Sequence, residues 1–391
     1  MAIIIGFIFL VVALGGVFLV VAGYPAVLAL HALFVRKAPY SDGPAPGVSM
    51  IIVARNAENL IGRKIENSLS LEFPSDRLEI LVFSDGSTDG TNDVVRTYQT
   101  DRLRFFSSVE HRGKIDALNS CAACATGEVL VFSDVDAMLE PDALLWLTRP
   151  YQDADVGGVC GQRLVDHEGK EMVSAQKRYI SLDSSIKLLE SKTGRVTSND
   201  GKLYAIRRNL FEAIPPGVTD DLYNALSVIR QGYKFIFEPE ARAAIPAPSR
   251  SGKHELQRRR RIVAQSLHGI FLRKELLNPF RYGLFAFGLL INKVFRRMLP
   301  VFMLLFFLST LILAKDFAWA MILTFIQLGV YAGVSVSLLT GHMARRILPG
   351  PLRKMLDLLL YVCFGNMGMF LGIVAYICGA RIERWDPVKN D

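Results

Sequence analysis

Long uninterrupted apolar runs bracket a central segment in which apolar and polar positions recur with helix and strand spacing. Residues 2–35 contain no Asp, Glu, Lys or Arg, and three further uncharged runs occupy 298–314, 317–340 and 358–380. A helix needs about 20 apolar residues to cross a bilayer, so the pattern predicts one tilted span at the start and about three near the end. The first run has neither a basic n-region nor a small-residue cleavage site before Tyr24-Pro25, which argues against a removed signal peptide. The expected organisation is an N-terminal transmembrane helix over 1–37, a polar domain over 46–264, amphipathic interface helices over 265–297, a transmembrane region over 298–380 and a tail over 381–391.

Basic residues beside the spans set the expected orientation, because they favour the cytoplasmic side. Arg36 and Lys37 follow the first span and Arg296 and Arg297 precede the second, which puts the polar domain in the cytosol. Arg345, Arg346, Arg353 and Lys354 place the loop 341–357 there too if each run crosses once. That count leaves the C-terminus outside, whereas Arg381, Arg384 and Lys389 favour a cytosolic tail and a re-entrant last segment.

Within the polar domain, VSMIIVA (48–54), LEILVFS (78–84) and EVLVFS (128–133) read as strands, and NLIGRKIENSL and KIDALNSCAACA read as helices between them. The alternation predicts an α/β domain with a mostly parallel sheet covered by helices on both faces. Ligands in such sheets bind beyond the carboxyl ends of the strands. Asp85 stands at one such end, and Asp134 and Asp136 at another, in VFSDVDAML. Residues i and i+2 of a strand share a face, and two carboxylates that close repel unless a cation stands between them. Mg²⁺ or Mn²⁺ suits oxygen ligands and commonly takes only one or two protein carboxylates. The plain alternative is a solvated turn.

Other stretches add chemistry. In SDGSTDGT (84–91), Gly86 and Gly90 permit tight turns, and Ser87, Thr88 and Asp89 are candidate caps for the next helix. Lys114 follows a Gly at a helix start, where a cation meets phosphate or simply solvent. PPGVTDDLYNAL (215–226) reads as a turn and a helix, with Thr219 as cap and Asp220 and Asp221 in the first turn. No G-x-G-x-x-G follows the first strand, so a dinucleotide fingerprint is absent. The 391-residue chain is 51% hydrophobic with a net charge of +8, and no nucleic-acid partner is expected. Cys121 and Cys124 form a C-x-x-C without a second pair or nearby His, and read as small buried residues, with Cys363 and Cys378 as packing residues.

Taken together, N-x-x-x-x-I (Asn56 to Ile61), DGSTDGT, GKIDALN, the D-x-D of SDVDA and TDDLYNALSVIRQGYK resemble the membrane-bound family 2 glycosyltransferases. That group includes synthases of chitin oligosaccharides, hyaluronan, cellulose and poly-N-acetylglucosamine. The resemblance covers about residues 48–262 and the flanking spans. It implies a GT-A fold, a UDP-sugar donor, Mg²⁺ or Mn²⁺ as cofactor, and inversion at the anomeric carbon. It further implies that Asn56 belongs to the nucleotide site, Asp85 meets the uracil and Lys114 approaches the nucleotide. Asp134 would lie at the ribose and diphosphate, and Asp136, with Asp134, would hold the metal. Where the family pattern has Glu-Asp this chain has Asp220-Asp221, and the resemblance makes Asp221 the general base. The family's Q/R-x-x-R-W has two registers in HELQRRRRIVAQ. The one from Arg258 to Ile262 keeps Arg258 and Arg261 in the acceptor and diphosphate region but puts Ile262 at the Trp position. Neither register retains the aromatic, and an Arg run is also what a lipid-headgroup patch looks like.

The expected enzyme is a multi-pass membrane protein with its catalytic domain in the cytoplasm. It transfers sugar to a glycan or lipid-linked acceptor at the cytosolic face, touches membrane lipids and possesses surfaces compatible with a homo-oligomer. The alternatives are a processive polysaccharide synthase that translocates its polymer, and a non-enzymatic transporter or basic scaffold. The spans 298–314 and 317–340 lack the ionisable residues that transport pathways usually need. Of three Trp residues, only Trp385, in RIERWDP, resembles a tail signature of some family members; Trp146 falls on a predicted helix and Trp319 near the outer surface.

Overall fold

The computed structural model describes residues 1–35, 43–165, 171–246, 252–340 and 349–379. The β-branched runs form β1 (Val48–Ala54), β2 (Leu78–Asp85), β3 (Leu103–Ser108) and β4 (Val129–Ser133), all parallel, in the order β3-β2-β1-β4. The sheet continues through β7 (Leu203–Arg207), β6 (Val156–Val165), β8 (Lys234–Ile245) and β5 (Met138–Leu139). β7 is antiparallel to both of its neighbours, so the eight-stranded sheet is mixed; β1, β2 and β4 are the strands expected from the sequence, and β3 is an addition to them.

Each apolar strand feeds two cores. Met50 and Ile52 of β1 pack with Ile61 and Ile65 of the Glu58–Leu69 helix on one face. Ile51 packs on the other face with Leu118 of the Lys114–Cys124 helix and Leu222 of the Asp220–Arg230 helix. Burying each such side chain stabilises by roughly 1.5–3 kcal/mol, which is why these strands read as continuous apolar runs. Cys121 is buried as expected, but Cys124 and Cys378 are exposed, since each falls at a helix end beyond the packed stripe.

Among the described residues two helices, Ala2–Phe34 and Ala318–Ser337, are long and apolar enough to cross a membrane. The run 298–314 differs from the expected single crossing. Its helix, Leu299–Leu313, has 15 residues, about 22 Å at 1.5 Å per residue, and follows a 66° bend after Leu284–Phe295. The bent pair counts as at most one broken span. The run 358–380 falls on the last part of the helix Gly350–Ile377, whose apolar stretch is Val362–Ile377. Gly6 and Gly16 let Leu313 and Phe302 approach the first helix antiparallel; a Cβ at either glycine would meet them at 2.8 and 2.6 Å. Arg36, Lys37, Arg345, Arg346 and the tail from Arg381, with Arg384, Trp385 and Lys389, lie outside the described residues.

The flank of Arg296 and Arg297 is not a free basic patch. Arg296 donates to Asn292 Oδ1 at 2.9 Å and lies 3.7 Å from Asp183, while Arg297 donates to the carbonyl of Lys293. Their charge is engaged inside the protein, so it says less about orientation than spacing along the chain implies.

At the end of β2 the chain turns through Gly86 at φ +60°, and a Cβ there would stand 2.6 Å from His111 N. Gly86→Ala therefore meets both a left-handed backbone and a backbone clash, and should lower the unfolding free energy by about 1–3 kcal/mol. Denaturant titration of the purified protein checks this, and an unchanged midpoint would mean that the loops at 86 and 111 are not locked together.

Candidate active site

The acidic groups named from the sequence gather beyond the carboxyl ends of β2 and β4. Asp134 and Asp136 lie past the end of β4, in a turn, so strand alternation does not bring them together. A cation does. Lys202 Nζ is 3.1 Å from Asp134 Oδ2, and 2.7 and 2.9 Å from the two oxygens of Asp136. Lys114 Nζ, at the first residue of its helix, bonds Asp134 Oδ1 at 2.9 Å and Asp220 Oδ2 at 3.2 Å. Lys114 thus joins the D-x-D turn to the helix that begins at Asp220.

Electrostatics follow the geometry. Burial alone would raise the pKa of Asp134, but the Lys114 and Lys202 ammonium groups hold its carboxyl well below the usual carboxylate range. Burial likewise works against Lys114 and Lys202, and the neighbouring carboxylates keep both above the ordinary lysine value. Asp221 is the exception. Burial, and then the charge of Asp220, push its carboxyl up to about 6. Its Oδ1 accepts only the amide of Leu222, at 2.7 Å, while its backbone carbonyl accepts from Asn199 Nδ2 at 2.9 Å. Asp220 instead carries Lys114 and a bond from the buried Tyr204 hydroxyl at 3.4 Å. Thr219 occupies the cap position but makes no capping bond, because the acids of the first turn answer the exposed amides.

Other expected residues are committed to the scaffold. Asp85 is buried and accepts from Arg112 N at 2.8 Å, Gly113 N at 2.9 Å and His111 Nδ1 at 2.8 Å. Its carboxylate shapes the loop that delivers Lys114, so it has little left to offer a base. Asn56, at φ +48°, accepts from Thr88 N at 2.8 Å, and Asp89 accepts from Glu58 N at 3.2 Å and Thr91 N at 3.1 Å. Ser87, Thr88 and Asp89 thus stitch the loop after β2 to the loop after β1, and of the three Asp89 also caps the Thr91–Arg96 helix, by accepting its first amide. In the Gly252–Leu272 helix, Arg258 and Arg259 both hold the buried Glu255, and Arg259 lies against Gly365 of the last helix. Burial and then the charge of Arg258 lower the pKa of Arg261, and the charges of Asp220 and Asp134 partly offset them. Ile262 is half-buried beside it.

Three participants escaped the sequence reading. Lys202 precedes β7 in NDGKLY, a Gly-Lys turn before a strand that was not recognised. Tyr204 stacks on Phe132 at 4.7 Å and reaches Asp220 from below. Lys64 looks like one polar position of an amphipathic helix, yet it is fully buried. Its Nζ donates to Ser133 Oγ at 2.8 Å and to the Ala137 carbonyl at 2.5 Å, clamping both ends of the D-x-D turn.

Among the described residues no group of three His, Cys, Asp or Glu side chains is placed to hold a metal. A Mg²⁺-type site does not need three, since substrate phosphate and water complete the shell. Asp134 and Asp136 supply hard oxygens around a point where the structure already seats an ammonium ion, so the donor set fits a divalent cation.

A profile described as "Glycosyl transferase family 2" matches residues 49–214. The chain is 27% identical over 226 residues to a beta-monoglucosyldiacylglycerol synthase of Nostoc sp., covering 54% of this chain and 48% of that protein. It is 22% identical over 265 residues to a poly-beta-1,6-N-acetyl-D-glucosamine synthase of Staphylococcus epidermidis, covering 64% and 63%. The matches thus span about half to three-fifths of these relatives' lengths. The fold is similar to that of a mannosyltransferase from Pyrobaculum calidifontis, solved in complex with GDP-Man and Mn²⁺. The TM-score is 0.65 at 22% identity, over 97% of this chain and 100% of that one. These likenesses agree with the GT-A architecture expected from the motifs.

Replacing the clamp tests its part in the site. Lys64→Met leaves the Ala137 carbonyl and Ser133 hydroxyl without their donor and should destabilise the fold by about 1–3 kcal/mol. Burial holds Lys64 down to about 7, so the unfolded state binds its proton more readily between that pH and the ordinary lysine range. Wild-type stability therefore gains from Lys64 as pH rises through that window, and the deficit of the variant should widen with it. Denaturation curves at a series of pH values check the sign; a constant difference would show that Lys64 stays charged throughout.

Proposed function

The chain carries a glycosyl transferase family 2 domain, residues 49–214, and from that premise we propose that it is a membrane-embedded inverting glycosyltransferase. It moves one sugar from a UDP-sugar to a hydroxyl of a glycan or lipid-linked acceptor at the cytosolic membrane face. The observation that carries this reading is the meeting of two acidic pairs, Asp134 with Asp136 and Asp220 with Asp221, across Lys114. One pair is neutralised by cations, as a diphosphate site requires, and the other leaves a carboxylate with a pKa suited to proton transfer.

Asp134 and Asp136 would hold Mg²⁺ or Mn²⁺, which when bound supplies positive charge to the departing diphosphate. Lys114 adds a fixed ammonium beside that position, and Arg261 contributes further positive potential from the Gly252–Leu272 helix. Asp221 takes the proton of the acceptor hydroxyl as its oxygen attacks the anomeric carbon from the face opposite the leaving UDP. Asp220 holds Lys114 in place and, by its charge, keeps Asp221 basic enough to accept that proton. A lipid acceptor is favoured by the membrane helices that pack directly against this domain, and by the diacylglycerol named for one relative. Ile262, in place of an aromatic, suits release after a transfer better than a long grip on a growing chain.

Two experiments test this assignment. Asp221→Asn should cost about 10²–10⁴ in turnover while UDP affinity stays near wild type, because the base acts in the chemical step. Asp220→Asn should cost less. The acid limb of kcat/KM should fall as pH drops through about 6, and should move to lower pH in Asp220→Asn once the neighbouring charge is gone. The opposite ranking of the two variants would hand the base role to Asp220.

Asp136→Asn should abolish turnover and remove the metal-dependent part of UDP binding, read by calorimetry with and without Mn²⁺. Full activity in EDTA would sink the metal proposal and leave the positive charge at the diphosphate to Lys202, Lys114 and Arg261.

A further inference from the structure

Away from the acidic cluster, a cavity of about 350 Å³ opens where the first apolar helix ends against the catalytic domain. That volume lies at the lower end of small-molecule sites, about 300–1,000 Å³. Its polar wall is basic: His31 from the Ala2–Phe34 helix, Lys192, and Arg195. Its apolar wall is Leu284 and Phe285, beside Tyr282. No carboxylate lines it among the described residues.

The polar groups are unspent. Among the described residues, His31 Nδ1 and the Tyr282 hydroxyl are both sealed from solvent without a hydrogen-bond partner, and Tyr282 is 6% exposed. Lys192 Nζ reaches the Ala32 carbonyl at 3.5 Å, and Arg195 lies 6.0 Å from the Tyr282 ring. Leaving buried donors unmade costs about 1–3 kcal/mol each, so such a cluster is shaped for an anionic acceptor. The chain beside the lining residues says where that anion comes from. Phe34, next to the lining Val35, is 82% exposed and Phe280, two residues before the lining Tyr282, is 99% exposed, the pattern of aromatics that enter acyl chains at the depth of lipid headgroups.

We propose that this cavity binds the phosphate of an anionic phospholipid headgroup, with Lys192, Arg195, His31 and the Tyr282 hydroxyl as its donors. Basic pockets at the membrane-facing side of helices are the general setting for such sites. The occupant would bridge the first helix to Arg195, and Arg195 opens the segment that carries Asn199 to Asp221 and Lys202 to the D-x-D turn. The inference rests on the membrane placement given under the proposed function and not on the transfer chemistry.

The test uses the full chain in neutral detergent, titrated with fluorescent phosphatidylglycerol and, in parallel, fluorescent phosphatidylcholine. Wild type should bind phosphatidylglycerol saturably, and the double variant Lys192→Gln with Arg195→Gln should bind it about tenfold or more weakly. Tyr282→Phe should lose a smaller factor, while Lys192→Arg with Arg195→Lys keeps binding and shows that loss is not misfolding. Phosphatidylcholine should not distinguish the variants. Equal phosphatidylglycerol binding by wild type and the double Gln variant would overturn the site. Displacement of the labelled lipid by millimolar inorganic phosphate would overturn the lipid source and assign the cavity to a free phosphate group. Flotation of wild type with phosphatidylcholine vesicles checks membrane placement separately, so that failure of the placement is not mistaken for failure of the site.

Discussion

The site exists because two lysines neutralise three carboxylates beyond the end of β4, in the middle of a mixed sheet. Asp134 has an ammonium on each oxygen, Asp136 shares Lys202 with it, and Asp220 shares Lys114. Without those cations the turn after β4 and the first turn of the Asp220–Arg230 helix would repel, and the antiparallel return through β7 could not bring Lys202 so close. The requirement reaches into the scaffold. Asp85 spends its carboxylate on the loop that starts the Lys114 helix, and Lys64 spends a buried charge on fixing the D-x-D turn. Supporting groups of this kind hold the side chains around them to a narrow geometry.

A second polar layer ties this cluster to the membrane helices. Glu190 accepts the Tyr24 hydroxyl of the first helix at 2.6 Å, the amide of Thr197 at 2.8 Å and Asn292 Nδ2 at 3.3 Å. Nearby, Asp200 meets Arg163 and Lys187, and Lys187 also holds Asp183 at 3.0 Å. These buried pairs add little net stability, but removing one partner would leave a charge stranded. Their effect is positional: the segment from Val196 to Lys202 cannot shift without disturbing both the apolar helices and the acids it contacts. An acceptor that arrives through the lipid surface would therefore meet a site already registered to that surface.

The strands β1, β2 and β4 were legible because they are buried on both faces and read as continuous apolar runs, whereas the partly exposed β3 was not. The half of the sheet beyond β4 was illegible: β7 is five residues long, and β6 contains glycines and a polar end. Asp134, Asp136, Asp220, Asp221 and Lys114 were visible because each sits at a strand or helix terminus, where local pattern marks it. Lys202, Tyr204 and Lys64 were not, since the roles of the two lysines arise from contacts across 66 to 73 residues of chain, that of Tyr204 from its bond to Asp220, and Lys64 is buried at a nominally polar helix position. Charge-free runs measure composition, whereas a crossing needs helix length; among the described residues two helices have that length, and the 66° bend before Leu299 makes 298–314 part of a broken pair that counts as a third only if taken as one span.

Adjacent aspartates on one helical turn would be interchangeable if the sequence alone set their chemistry. Their surroundings separate them. Asp220 faces a lysine and a tyrosine hydroxyl, so its oxygens are taken and its negative charge is held in place. Asp221 faces its own helix amide and the buried side of the cleft, where desolvation and the charge of Asp220 both penalise ionisation. A carboxylate tuned upward next to one pinned as a counter-ion is how a protein divides proton transfer from charge support with a single residue type. The shorter Asp at position 220 is then no defect, because its task is to reach Lys114, and at 3.2 Å it does so without leaving the helix.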